Sequence, residues 1–194
     1  VRVVLAVVLL VAAKAANVEA DDAWFDFDTD VQGNRTIQRI KKPNRIDPYY
    51  AEQAGNADIL AILTRIIGAN VRLSHTKINM KSANGGAALE WHQDWAFAPH
   101  TNMSTCVASV MLDGANASNG AMQVIPRSHK GPLLDHHDEE GYFCGAVDPA
   151  DFDMAQAVLL EGPPGTVSFH HPMTLHGSSV NRSGDPRRIL FYEY

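Results

Sequence analysis

Apolar and polar positions change rhythm twice along the chain. Val3 to Ala13 is an unbroken apolar run of eleven residues between Arg2 and Lys14. A helix needs about 20 apolar residues to cross a bilayer, so the run is too short to span one. It reads as a buried helix or strand. A signal or anchor remnant is the alternative, because Ala13-Lys14-Ala15 has the form of a cleavage site. Asp21 to Asp30 is acidic around Trp24 and Phe25 and reads as a loop or helix edge; Pro43 and Pro48 then punctuate a basic, polar segment. Ile59, Leu60, Ile62, Leu63, Ile66 and Ile67 recur at the spacing of one helical face and predict an amphipathic helix. Asn56 or Asp58 suits its start and Gly68 its end.

Beyond Val71 the period shortens. Candidate strands are Val71–Met80, Leu89–Asp94, Thr105–Leu112, Gly120–Ile125, Ala157–Leu160, Thr166–His171 and Arg188–Tyr194. Between them lie Asn84-Gly85-Gly86, Asn119-Gly120, Gly162-Pro163-Pro164-Gly165 and Ser183-Gly184-Asp185-Pro186, all turn formers. Many short strands with such turns predict a mainly β sandwich or barrel, with the helix packed outside. No helices alternate with the later strands, which disfavours an open α/β sheet.

Composition narrows the class. The 194 residues fit one domain, and 45% hydrophobic with 20% charged residues is ordinary globular composition. A net charge of -6 suggests no nucleic-acid or anionic-membrane surface. Two cysteines, Cys106 and Cys144, cannot build a disulfide framework or a cysteine-based zinc site. The expectation is a soluble cytoplasmic protein without a membrane span. Nine histidines are the one unusual count.

The chemistry centres on Trp91-His92-Gln93-Asp94-Trp95. Residues two apart on a strand share a face, so His92 and Asp94 can converge on one point. His176, in Thr174-Leu175-His176-Gly177-Ser178, is the candidate third ligand. Two histidines and one carboxylate form the facial set that holds non-haem Fe(II) with positions left open; the same set could hold Zn or Mn. Arg187 follows eleven residues after His176. It would lie on the last strand, antiparallel to the strand carrying His176. A guanidinium grips a carboxylate in bidentate fashion, so a dicarboxylate could chelate the metal and be anchored at Arg187. Ser178, two residues after His176, faces the same way and can donate its hydroxyl. Arg188, next to Arg187, competes for the anchoring role. Asp135-His136-His137-Asp138-Glu139-Glu140 resembles a metal cluster but follows Pro132 in a polar stretch, and reads as a solvated loop.

Further motifs extend this set in a fixed order. They are Pro99, Leu112-Asp113, Asn119-Gly120-Ala121, the run Val124 to Gly131, and Phe169-His170-His171-Pro172. From Lys77 to Arg188 the chain resembles the phytanoyl-CoA dioxygenase family of Fe(II)/2-oxoglutarate-dependent oxygenases. The resemblance implies a double-stranded β-helix, a jelly-roll or cupin-like barrel with flanking N-terminal helices. It implies a single oxygenase domain over residues 1–194, shortened at its N-terminus, with 1–70 as helical or irregular support and 71–194 as the barrel core. His92, Asp94 and His176 would ligate Fe(II), Arg187 would hold the distal carboxylate of 2-oxoglutarate with Ser178, and Lys77, Asn79 or Met80 would touch the co-substrate. With O2, such an enzyme hydroxylates an unactivated C–H bond of a small or medium organic substrate and releases succinate and CO2. Halogenating relatives lack the carboxylate ligand; Asp94 is present, which favours hydroxylation. His171 matches the family's frequent His-Pro and is expected beside the metal ligands. Two departures stand out: Ser109 where relatives often carry an aromatic residue, and Arg127 where they carry glycine. The alternatives are a different cupin-like metalloenzyme, such as a Zn or Mn hydrolase or isomerase, or an inactive fold fragment.

Overall fold

The structure, a computed structural model, describes residues 23–30 and 32–194; the apolar run at Val3 to Ala13 lies outside them. Among the described residues, ten strands form two antiparallel sheets. They are β1 (Phe25–Thr29), β2 (Arg35–Lys41), β3 (His75–Lys81), β4 (Leu89–His92), β5 (Val107–Met111), β6 (Met122–Val124), β7 (Val158–Leu159), β8 (Val167–His170), β9 (His176–Ser178) and β10 (Arg187–Glu193). The larger sheet has the order β1-β2-β3-β10-β5-β8 and the smaller β4-β9-β6-β7. Three helices precede β3: α1 (Pro43–Ile46), α2 (Pro48–Ala54) and α3 (Ala57–Ile67).

Both faces of β10 are buried, which is why its sequence shows no polar alternation. On one face Ile189 and Phe191 pack with Val107 of β5 and Met122 of β6, closing the space between the sheets. On the other, Leu190 and Tyr192 join Ile40, Ile78, Ala108 and the helical residues Tyr50, Ala54, Ile59 and Leu63. The Tyr192 hydroxyl donates to the Tyr50 carbonyl at 2.9 Å and the Tyr194 hydroxyl to the Ala54 carbonyl at 2.7 Å. Helix and strand are thereby joined by polar as well as apolar contact.

Helix α3 starts as expected: the Asn56 side chain accepts from the amides of Asp58 and Ile59. Its buried stripe is narrower than the sequence pattern, however. Ile59 and Leu63 are buried, whereas Ile62 and Ile66 are 44% and 56% exposed.

Two strands arise where a loop and a polar segment were expected. The acidic segment forms β1, whose Asp26 pairs with Lys41 at 2.5 Å and Arg39 at 3.5 Å on β2. Its carboxylates are offset by cross-strand cations, a compensation invisible in a local window. The seven expected strands are present, each trimmed at one or both ends. Strand β9, three residues long, is too short to leave a periodic signal. Among the described residues no helix is long and apolar enough to cross a membrane.

Candidate metal centre

β4 and β9 are neighbours in the smaller sheet, with His92 directly opposite His176. The cross-strand pair brings the two rings to 4.2 Å between centroids. Asp94 is not on the strand. The chain passes through extended Gln93 into a short 3-10 turn, Asp94–Ala96, which swings the carboxylate towards the pair. Asp94 Oδ1 lies 3.7 Å from His92 Nε2 and Asp94 Oδ2 lies 3.6 Å from His176 Nε2. The three residues could hold a metal ion, each offering one ligand atom. Convergence is therefore reached, but by a strand end plus a turn rather than by strand alternation.

The two ligand histidines are oriented alike. His92 Nδ1 donates to the Glu90 carbonyl and His176 Nδ1 to the Thr174 carbonyl, both at 2.8 Å. A carbonyl only accepts, so Nδ1 is the donor in each and Nε2 is the atom turned to the centre, the one that would meet a metal. Burial pushes the His176 imidazolium well below its usual range, with His92 adding to the effect. Burial alone would raise Asp94, but Lys77 and His176 outweigh it and hold the carboxyl well below its usual range. The donor set is thus two imidazoles and a carboxylate, the chemistry that suits a divalent transition metal.

Two residues support this geometry from afar. Gln93 is buried; its amide NH₂ donates to the carbonyls of Met173 (2.9 Å) and Pro132 (3.2 Å), and its side-chain oxygen accepts from the Leu134 amide (2.8 Å). Its backbone N–H donates to His136 Nε2 at 3.0 Å. His136 is buried, not part of a solvated loop, and its Nδ1 donates to the Leu134 carbonyl. Sequence reasoning missed both, since their partners lie about forty residues or more away and no local pattern marks them.

The wall opposite the ligands belongs to the larger sheet. Across β3 and β10, Lys81 faces Arg187, Asn79 faces Ile189 and Lys77 faces Phe191. Lys77, Asn79 and Lys81 therefore share the inner face with Arg187. Met80 alternates to the outer face and packs against the helix-covered core, yet it also contributes to the lining of the cleft that holds Arg187. Lys77 Nζ lies 3.3 Å from Asp94 Oδ1. Asn79 Oδ1 accepts from Arg39 Nε at 3.1 Å.

Arg187, Ser178, Lys81, Asn79, Met122 and Phe191 line one cleft. Arg187 is buried, its Nε has no hydrogen-bond partner among the described residues, and burial pushes its pKa down to about 10. Arg188 is committed elsewhere: Nε and Nη2 make a bidentate pair with Asp113, both at 2.7 Å. β9 and β10 lie in different sheets, so Arg187 meets the His176 region across the interior rather than from an adjacent strand. Lys81, not anticipated from sequence, is buried in the same cleft; its ammonium donates to the carbonyls of Ala87 and Ser179.

The histidines divide differently from expectation. His170, not His171, points at the ligands, with Nε2 3.5 Å from Asp94 Oδ2 and its ring 5.0 Å from that of His176. His171 faces the other way. Its Nε2 donates to the Met103 carbonyl, its Nδ1 accepts from the Met173 amide, and its ring stacks on Trp95. Arg127 takes a left-handed, glycine-like conformation at φ 68°. Ser109 is buried on β5, facing Phe191 on one side and Ser168 on the other; neither serine hydroxyl has a partner among the described residues.

Known proteins resemble the chain in sequence and in fold. The family model described as phytanoyl-CoA dioxygenase (PhyH) matches residues 9–189. A probable alpha-ketoglutarate-dependent hypophosphite dioxygenase of Stutzerimonas stutzeri is 37% identical over 186 residues, covering 93% of this chain and 65% of that protein. L-proline trans-4-hydroxylase of Streptomyces griseoviridis is 27% identical over 184 residues, 84% of this chain and 69% of that one. Among solved structures, EctD from S. alaskensis with bound Fe superposes with a TM-score of 0.80 at 22% identity, over 99% of this chain and 66% of that one. The chain thus spans about two thirds of the length of these relatives.

Proposed function

The chain belongs to the phytanoyl-CoA dioxygenase family, and from that premise we propose that it is a non-haem Fe(II)- and 2-oxoglutarate-dependent dioxygenase hydroxylating a small or medium organic molecule. The observation that carries the reading is the pairing of two features across the interior. One is a buried His-Asp-His set with both Nε2 atoms turned inward. The other is a buried guanidinium on the facing sheet whose Nε has no partner among the described residues.

His92, Asp94 and His176 would hold Fe(II), a donor set that fits this ion and leaves positions for co-substrate and O2. Iron with 2-oxoglutarate and O2 supplies the oxidising chemistry: one oxygen atom ends in succinate as CO2 leaves, and the other converts a substrate C–H to C–OH. The protein's own residues position and shield. Arg187 grips the distal carboxylate of 2-oxoglutarate, a ligand that relieves its unpaired Nε, and Ser178 donates its hydroxyl to the same group. Asn79 and Lys77 line the same wall, Lys77 at its metal end. Phe97 stands edge-on to His92, 5.7 Å between centroids. Gly145 admits this placement: at φ 71° it carries no Cβ, which would fall 2.7 Å from the Phe97 ring. We read residues 1–194 as one oxygenase domain acting in the cytoplasm on a small molecule. The names of the relatives, which refer to hypophosphite and L-proline, support a small polar substrate.

The test is Fe(II)-dependent conversion of 2-oxoglutarate to succinate. Wild type is expected to be active and His176→Ala inactive. Arg187→Ala should raise the KM for 2-oxoglutarate by about tenfold or more, roughly 1.4 kcal/mol or above for a lost charge-assisted pair. Arg188→Ala should leave that KM unchanged; the reverse pattern would assign the anchor to Arg188.

A further inference from the structure

Four histidines surround the centre, and one differs from the rest. His92, His136 and His176 each donate from Nδ1 to the carbonyl two residues back, at 2.8 to 2.9 Å. That bond fixes the ring and commits Nε2 to a single task. His170 has no such anchor. Its side chain is 3% exposed, and neither ring nitrogen has a hydrogen-bond partner among the described residues. Its polar neighbour there is Asp94 Oδ2, at a long 3.5 Å that makes an electrostatic contact but no well-formed hydrogen bond. An imidazole left unsatisfied in the interior costs about 1–3 kcal/mol, so a buried polar group in this condition needs an account. A packing role is poorly served by it, because an aromatic hydrocarbon would fill the place without the cost.

The surroundings specify what His170 could meet. Lys77 flanks Asp94 from the other side, 3.3 Å from Oδ1. The Lys77 ammonium also lies 5.4 Å from the centre of the Phe191 ring, a face that favours a cation. Deeper in the same interior are Arg187 and Lys81, both buried. Asp94 is the carboxylate that faces this group. A divalent ion adds two positive charges, whereas 2-oxoglutarate brings two negative ones. Lys77 and Arg187 outnumber Asp94 even when Lys81, whose pKa burial lowers to about 7, is left out, so the interior retains positive charge that an anion best relieves.

We propose that His170, with Lys77, forms the substrate-recognition subsite, and that the substrate presents a small oxyanionic head, a carboxylate or a phosphorus oxyanion, beside Asp94. This rests on the dioxygenase reading above. His170 donates from Nε2 to the head and Lys77 supplies its counter-charge, so the bond to be oxidised is held close to the metal ligands. An uncharged analogue leaves both groups unpaired, which is the usual source of strong discrimination in polar sites.

The experiment is calorimetric and needs no turnover. Anaerobic protein, loaded with Fe(II) and saturating 2-oxoglutarate so that Arg187 is occupied, is titrated with sodium hypophosphite, methylphosphonate and propionate. Propionamide serves as the uncharged counterpart of propionate. At least one anion is expected to bind about tenfold or more tightly than propionamide, and which one binds decides between a phosphorus oxyanion and a carboxylate. His170→Phe should weaken that anion by about tenfold while 2-oxoglutarate affinity stays within about twofold. His170→Asn, which retains a donor, should recover part of the loss. Equal binding of propionamide, no binding of any anion, or an unchanged anion affinity in His170→Phe would overturn the proposal. Joint loss of metal and 2-oxoglutarate affinity in His170→Phe would also overturn it, making His170 a positioning residue for Asp94. Failure of wild type to bind 2-oxoglutarate with Fe(II) is a separate outcome that removes the dioxygenase reading itself, and this inference with it.

Discussion

Lys81 carries a consequence that can be measured without any ligand. Burial, reinforced by Arg187 beside it, pushes its pKa down to about 7 from 10.5. A lysine whose folded pKa is depressed binds fewer protons folded than unfolded between those two values. Stability therefore rises with pH across that window and is flat below it. Between pH 7 and 8.5, below the usual titration of tyrosine, the urea midpoint of wild type should climb. In Lys81→Met the climb should be much reduced; an equal climb in both would show that Lys81 keeps an ordinary pKa. At this scale the ligands were the legible part. His92 and Asp94 sit two apart, and His176 and Arg187 follow in the order of the resembled family's motifs; the structure brings His92, Asp94 and His176 together. Lys81, Gln93, His136 and the choice of His170 over His171 were not legible. Each is defined by partners far away in sequence or by which face of a strand turns inward.

Elements with a strong internal period were read correctly, and those held by their neighbours were not. α3 shows its period plainly, yet only Ile59 and Leu63 of its stripe are buried, with Leu60 and Ile67 half-buried against the same core. Leu63, fully buried, and Ile66, 56% exposed, lie three residues apart on the same helix. Leu63→Ala should cost about 2–5 kcal/mol in denaturant unfolding, and Ile66→Ala less than about 1 kcal/mol. Similar losses at the two sites would mean that the exposed side of α3 is covered in solution. β1 escaped notice because its aspartates argue against a strand until Lys41 and Arg39 are set opposite them. β9, three residues long, has no period of its own and was expected only as the strand carrying His176.

At the scale of the molecule, the two-sheet architecture was legible because turn formers delimit the later strands one after another. Sheet membership was not. That β10 lies between β3 and β5, while β9 lies between β4 and β6, depends on pairings no local pattern encodes. Yet this partition makes the site. It sets the His-Asp-His group on one sheet and its turn, and the Lys77, Lys81 and Arg187 cations on the other, with the interior between them. Anaerobic addition of 2-oxoglutarate to the Fe(II)-loaded protein tests that account most directly. A weak visible charge-transfer band should appear with wild type and vanish in His92→Ala. No band with wild type, or the same band in His92→Ala, would contradict the assignment of the metal centre.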